Sequence, residues 1–376
     1  MGKRRIMPSE LAIGSVLAWD AYDESGRLLL RRGQVIASTT QLDGLMERGL
    51  YTGLDVAREK PAASSFDVTH SAVALVLEAR RRLQILCAPG TVASGFAEQV
   101  LRVRELIREA CRISRDASLA MTLLDRNGRY SVRHSVDAAI ACEVVGAELA
   151  IADAELTPIV AAALTMNISI MGLMDDLQAQ KDPLSETQRE TIRRHPEDGA
   201  ELLRGRGVAD EVWLRAVLSH HEAIDGSGYF HGRKGDEIPL SAQLVSLADI
   251  YCARISSRDY RPPLRPNAAL RALFLEQGKK VRDGLASQFI KAIGVFPAGT
   301  PVRLENGEIA VVIHRGQNAG KPYVCSILGA HGMPLAVPVR RDTSLGTYCI
   351  KEVVSWPELG AIPNMQSLWV RVAAIA

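Results

Sequence analysis

The sequence predicts a mainly α-helical protein in which one all-α domain lies between a small β-rich N-terminal module and a β-rich C-terminal extension. Apolar residues recur with helical spacing from residue 71 to about 293, whereas both ends consist of short apolar runs punctuated by glycine. The 376 residues are enough for two or three domains. A hydrophobic fraction of 47% with 23% charged residues excludes disordered and fibrous classes. We expect domains at 1–54, 70–296 and 297–376, with a linker at 55–69.

The N-terminal module is predicted from a hairpin pattern. Residues 15–22 and 27–36 are apolar runs on either side of the turn 23–26, in which Gly26 can supply a positive φ. Residues 40–48 then have helical spacing. Periodicity is lost in the following segment, which is rich in Pro, Ala and Ser, as in a linker.

Local signals mark both remaining regions. Ser185 and Gln188 have the spacing of a capping box, which predicts a helix running through Leu203. After residue 297, two apolar runs flank Asn306-Gly307, a dipeptide typical of a tight hairpin turn. Short runs of the same kind continue to residue 356, so the C-terminal region is predicted to be β-rich.

Charge and cysteine usage exclude several function classes. Lys and Arg total 45 against 43 Asp and Glu, and a net charge of +2 does not indicate a DNA-binding protein. The six cysteines are scattered without a CxxC pair, and no signal peptide precedes them. No run of about 18 apolar residues occurs. We expect a cytoplasmic protein without a membrane span.

The strongest functional signal is a set of histidines and acids. His220 and His221 stand at a predicted helix end, followed by Asp225 and a glycine-rich loop. His195 lies toward the end of the capped helix, and His134 lies near the start of another. Neutral imidazole is a common metal ligand. Asp249 is a single carboxylate in an apolar helix, where a buried charge needs a partner.

Four motifs in the same order resemble the HD-GYP domain proteins, a bacterial branch of the HD metal-dependent phosphohydrolases. The segment 220–230 reads HHEAIDGSGYF against the family's HHExxDGxGYP, with Phe230 in place of proline. The segments 195–203 (HPEDGAELL), 247–253 (LADIYCA) and 258–262 (RDYRP) match three further landmarks. The resemblance covers most of residues 120–315.

The resemblance implies an α-helical bundle that encloses two or three metal ions and hydrolyses cyclic di-GMP through metal-bound hydroxide. Carboxylate and imidazole ligands suit iron, manganese or other divalent ions. The positions that it implies as metal ligands are His134, His195, His220, His221 and Asp249.

The resemblance also implies contacts with other molecules. Tyr260 and Arg261, together with Asp225, correspond to positions near the nucleotide. Gly228, Tyr229 and Phe230 correspond to a loop that contacts cyclic di-GMP synthase (GGDEF) domains. The sequence does not decide whether the protein forms a homodimer.

The motif that defines the family, HDxGK, should lie on a helix between His134 and His195, and in that helix, which reads ALTMNISI at 163–170, the motif is altered. Met166 stands in the histidine position, Asn167 in the position of the metal-bridging aspartate, and Ile170 in the lysine position. A thioether is a weak ligand for hard ions, an amide carries no charge, and isoleucine cannot bind phosphate. Tyr130 stands where some members have a glutamate ligand. The resemblance therefore implies that binuclear catalysis is lost or very weak.

Three hypotheses follow. The first is a catalytically weak or inactive regulator in cyclic di-GMP signalling, with one divalent ion at His195, His220 and His221, or none. The second is an active phosphodiesterase whose metal site is rebuilt from other residues, such as Asp175 or Asp176. The third is a structural protein-interaction module.

Overall fold

The structure, a computed structural model, describes residues 3–5, 21–22, 28–30, 51–53, 71–88, 90, 94–257, 262–359 and 368–369. The chain forms two compact units, residues 1–67 and 68–376. The predicted helix at 40–48 and the predicted linker at 55–69 lie outside the described residues.

The first unit contains a small antiparallel sheet. Its strands are β1 (Lys3–Arg5), β2 (Ala21–Tyr22), β3 (Leu28–Leu30) and β4 (Tyr51–Gly53), in the order β1-β4-β2-β3. Strands β2 and β3 pair antiparallel, as the hairpin pattern predicts.

The second unit begins with helices, which confirms the mainly α-helical fold class. None of the helices in the described part of the chain has both the length and the apolar composition needed to cross a bilayer. Ten helices of this part precede the C-terminal strands: α1 (Ala72–Leu86), α2 (Phe96–Leu124), α3 (Tyr130–Glu148), α4 (Asp153–Thr165), α5 (Met171–Ala179), α6 (Glu186–Gly205), α7 (Glu211–Ser219), α8 (Leu240–Ile255), α9 (Pro266–Leu275) and α10 (Leu285–Ile293).

Helices α3 and α4 form the centre of this unit and are buried over most of their length. Nearly every side chain of α3 from Tyr130 to Val145 is buried, including those that face away from α4. A helix that is apolar on all sides is stable only when other helices surround it. Helix α3 packs against α2, α4 and α8. His134 and Asp249 therefore lie in the interior.

The capping box at the start of α6 is confirmed. The Ser185 hydroxyl accepts a hydrogen bond from the Gln188 N–H at 3.1 Å, and the Gln188 side chain accepts one from the Ser185 N–H at 2.9 Å. These bonds satisfy backbone donors that a helix start leaves unpaired.

The C-terminal strands form one antiparallel sheet in the order β8-β7-β6-β5-β9, and a short helix, α11 (Trp356–Leu359), follows. Val311 and Ile313 on one face of β6 join the helical core, whereas Ala310 and Val312 on the other face join a second core within the sheet. This alternation follows from the two-residue period of a strand. The five strands are β5 (Pro301–Leu304), β6 (Ile309–His314), β7 (Tyr323–Leu328), β8 (Pro334–Asp342) and β9 (Ile350–Val353).

Candidate functional site

Three histidines converge at one place in the helical unit. His195 lies inside α6, and His220 and His221 follow the last residue of α7. One ring nitrogen from each lies within 4.8 Å of the others. His195 and His220 are fully buried, and His221 is partly exposed.

Backbone carbonyls determine the tautomers of two of these rings. Pro196 has no N–H, so it leaves the carbonyl of Ile192 without its helical donor, and the Nδ1 of His195 donates to that carbonyl at 2.5 Å. The Nδ1 of His220 donates to the carbonyl of Val217 at 2.6 Å, in the last turn of α7. Each Nε2 therefore carries a lone pair.

The two Nε2 atoms face each other at 3.1 Å. Two neutral acceptors at this distance repel each other unless a cation lies between them. Two nitrogen ligands about 2.1 Å from one ion lie about 3.0 to 3.4 Å apart for angles between square and tetrahedral. The observed separation fits one divalent ion held by His195 and His220, with His221 as a third ligand.

Burial keeps these rings neutral. Desolvation is the main cause that lowers the pKa of His195 to about 3, and the nearby His220 lowers it further. Desolvation also lowers the pKa of His220 and, more strongly, that of His221. Neutral imidazole is the form that binds a metal.

His134 and Asp249 form a second, separate pair. The His134 Nε2 lies 2.7 Å from Oδ1 of Asp249, and both residues are buried. Burial alone would raise the pKa of Asp249, but the hydrogen bond from His134 keeps that pKa below its ordinary range. Tyr130 packs on the His134 ring, with 5.5 Å between centroids.

The altered motif lies in a turn, whereas the sequence indicated a continuous helix. Helix α4 ends at Thr165, and residues 166–170 form turns before α5. Met166 is fully buried in the apolar core, whereas Asn167 and Ile170 line the site. The position of the metal-bridging carboxylate is therefore taken by an uncharged amide. The fit to a second ion is poor, because Asp249 is the single carboxylate among the described lining residues.

The loop after His221 folds back onto the histidines. A Cβ at Gly228 would lie 2.4 Å from the Ala223 nitrogen and 2.5 Å from the His221 oxygen, so only glycine fits there. The Tyr229 N–H donates to the His221 carbonyl at 3.1 Å, and the Tyr229 ring stacks on His221 with 4.6 Å between centroids. Phe230 is half-buried, and the Arg194 guanidinium lies 5.8 Å from its ring centroid.

Two adjacent cavities surround this site. The inner cavity, of about 240 Å³, is lined by His134, Asn167, His195, His221 and Asp249 among others. The outer pocket, of about 370 Å³, is lined by Leu184, Arg189, Ile192, Arg193 and residues 227–229. Ile192 and Tyr229 line both, so the two cavities adjoin.

Several predicted site residues lie elsewhere. Asp225 is exposed, accepts a hydrogen bond from the Ser227 N–H at 2.8 Å, and lines neither cavity. Tyr260 and Arg261 lie outside the described residues. Met174 is half-buried and lines the inner cavity, because α5 turns that face toward the site.

The acids proposed for a rebuilt site are not at the cavity either. Asp175 accepts hydrogen bonds from the Arg129 side chain at 2.7 Å and from the Ser131 N–H at 2.8 Å, at the start of α3. An acid at a helix N-terminus is stabilised by the backbone donors there. Asp176 is exposed.

The sequence interpretation missed two sets of residues. Glu222 is buried, and its carboxylate accepts hydrogen bonds from the N–H groups of His231 and Arg233 at 2.8 and 3.0 Å, which hold the glycine-rich loop. Arg189 and Arg193 line the outer pocket. The two arginines are four positions apart in the helix that follows the capping box, so they lie on one helix face. This spacing was visible in the sequence.

The fold and the histidine site define the class of the protein as an HD domain, and the family model described as HD domain matches residues 117–284. A cyclic di-GMP phosphodiesterase of Pseudomonas aeruginosa is 28% identical over 200 residues, which cover 53% of this chain and 48% of that protein. A cyclic di-GMP phosphodiesterase response regulator of Xanthomonas campestris is 33% identical over 137 residues, which cover 36% of each chain.

Residues 117–284 are thus an HD domain. The chain spans about half or less of the length of these two relatives. A solved HDG"Y"P protein from Bdellovibrio bacteriovorus matches 77% of this chain and 99% of its own, with 17% identity and a TM-score of 0.48.

Proposed function

We propose that this protein is a regulator that binds cyclic di-GMP or a related cyclic dinucleotide, holds one divalent ion, and has little or no phosphodiesterase activity. The observation that carries this proposal is the asymmetry of the site. Three histidines with lone pairs converge at one position, whereas the position beside them has Asn167 in place of a carboxylate.

The ion would be held by His195, His220 and His221. When bound, such an ion supplies Lewis-acid polarisation of a phosphate oxygen and lowers the pKa of water. The chain itself orients His195 and His220 through the carbonyls of Ile192 and Val217. A ligating histidine whose second nitrogen is held in this way is positioned before the metal binds.

Weak hydrolysis follows from the remaining residues. In-line phosphodiester hydrolysis by two ions needs a carboxylate that neutralises and joins them. Asp249 is already hydrogen-bonded to His134, and Asn167 brings no charge. A site rebuilt from Asp175 or Asp176 gains no support, since the first is held at the start of α3 and the second is exposed. Contact with a synthase domain through Gly228, Tyr229 and Phe230 remains part of this proposal.

The test combines three measurements on the full chain purified without chelator: metal content, calorimetric titration with cyclic di-GMP, and chromatographic detection of hydrolysis. We expect about one ion per chain, measurable binding, and no multiple-turnover hydrolysis. His220→Ala should lose the ion, whereas His314→Ala, whose ring pairs with Asp116 of α2, should retain it. Two ions per chain with sustained hydrolysis would refute the proposal.

A further inference from the structure

The inner cavity is too small to hold a nucleotide alone. Ligand pockets usually enclose about 300 to 1,000 Å³, and the inner cavity has about 240 Å³. The outer pocket, which adjoins it at Ile192 and Tyr229, adds about 370 Å³. A ligand of nucleotide size that reaches the histidines therefore extends beyond the inner cavity, and the outer pocket borders that cavity at Ile192 and Tyr229.

The permanent positive charge also lies in the outer pocket. Among the described residues, the lining of the inner cavity contains no Lys or Arg, and its one carboxylate is Asp249. The described lining of the outer pocket contains Arg189 and Arg193 and no carboxylate. Ile170, which stands in the lysine position of the altered motif, is uncharged and adds no positive charge to the inner cavity.

The two arginines are rigidly linked to the histidine site. Arg189 and Arg193 are one turn apart on α6, with Ile192 on the same face, and His195 follows in the same helix. Arginine's planar guanidinium donates paired hydrogen bonds that match a phosphate.

Both arginines are available to a ligand. Arg189 pairs with Glu186 at 3.0 Å, and these side chains are 56% and 89% exposed, so that the pair is weak and easily exchanged. Arg193 makes no ion pair within the described part of the chain. The adjacent Arg194, by contrast, contacts Asp198 and Phe230.

We propose that Arg193, assisted by Arg189, forms an anion subsite for the second phosphate of a cyclic dinucleotide whose first half occupies the inner cavity. This inference rests on the proposed function, because it requires the nucleotide to reach the histidine site. It assigns selectivity for a two-phosphate ring to α6, since a single phosphate cannot occupy both cavities.

The experiment is a calorimetric titration of the full chain with cyclic di-GMP in the presence of Mn²⁺, at two salt concentrations. The double variant Arg189→Ala/Arg193→Ala should bind about tenfold more weakly or worse, the lower range for hydrogen bonds to a charged group. Its metal content should be unchanged, and its affinity should depend less on salt. Arg189→Lys/Arg193→Lys should recover part of the affinity.

The matched control is Arg112→Ala/Arg102→Ala. Arg112 pairs with Glu109 at i,i+3 as Arg189 does with Glu186, and Arg102 is exposed on a helix without an ion pair in the described ranges. This control should bind as the wild type does. Equal affinity of the double variant and the control would overturn the subsite while the proposed function stands. No binding by the wild-type chain would overturn both.

Discussion

Asn167→Asp should make the stability of the helical unit depend on metal. Asn167 is 4% exposed and shares the inner cavity with Asp249, whose charge is maintained by His134. The introduced carboxyl must either remain charged near a second carboxylate or bind a proton. At pH 7.5, protonating a group whose unfolded pKa is about 3.9 costs about 5 kcal/mol, which is the upper limit of the penalty.

The sign of the pH dependence follows from linkage. Burial and the neighbouring carboxylate raise the folded pKa of the introduced group above its unfolded value, so the folded state binds more protons and stability falls as pH rises between the two values. At about 2 to 4 °C per kcal/mol for a unit of this size, the midpoint should fall by up to about 10 to 20 °C at pH 7.5.

Thermal unfolding monitored by circular dichroism, with EDTA and with Mn²⁺, measures both effects. Mn²⁺ should reverse the loss, because the new carboxylate can then join two ions, and metal content should rise from one ion to two. Asn167→Leu is the control, and its stability should depend neither on pH in this range nor on added metal beyond the wild-type response. An Asn167→Asp chain with unchanged stability in EDTA and no response to Mn²⁺ would refute this reasoning.

Two further changes test the fold. Gly146→Ala should lower the free energy of unfolding in urea by about 1 to 3 kcal/mol, because its Cβ would lie 2.2 Å from Cδ1 of the buried Leu156. Gly172→Ala, whose Cβ would have nothing within 4 Å, should be neutral or stabilising. Equal effects of the two changes would contradict the packing argument. Hydrogen bonds from Arg341 lower the pKa of Glu308, so the penalty of Glu308→Gln should be full at pH 7 and shrink as pH falls below about 4. A pH-independent penalty would exclude this ion pair as its cause.

Local signals in the sequence were sufficient wherever one short segment decides the structure. The capping box at Ser185 and the turn at Asn306-Gly307 each depend on neighbours within a few residues, and both are present. The end of α4 at Thr165 was missed, since its apolar spacing continues to Ile170 and tertiary packing decides where the helix stops. Asp225 was placed at the site by its motif, but its own loop uses its carboxylate.

The sequence by itself determined the fold class, the family and which residue types are present or absent at the HD position. Those properties follow from local periodicity and motif order along the chain. Only the tertiary structure decided how these residues pair: His195 with His220, His134 with Asp249, and Asp175 with the start of α3. Such pairs join residues 25 to 115 positions apart, and their distances depend on how the helices pack. The position of Arg189 and Arg193 beside the histidine cavity has the same origin, since residues 227–229 and α6 line the outer pocket together.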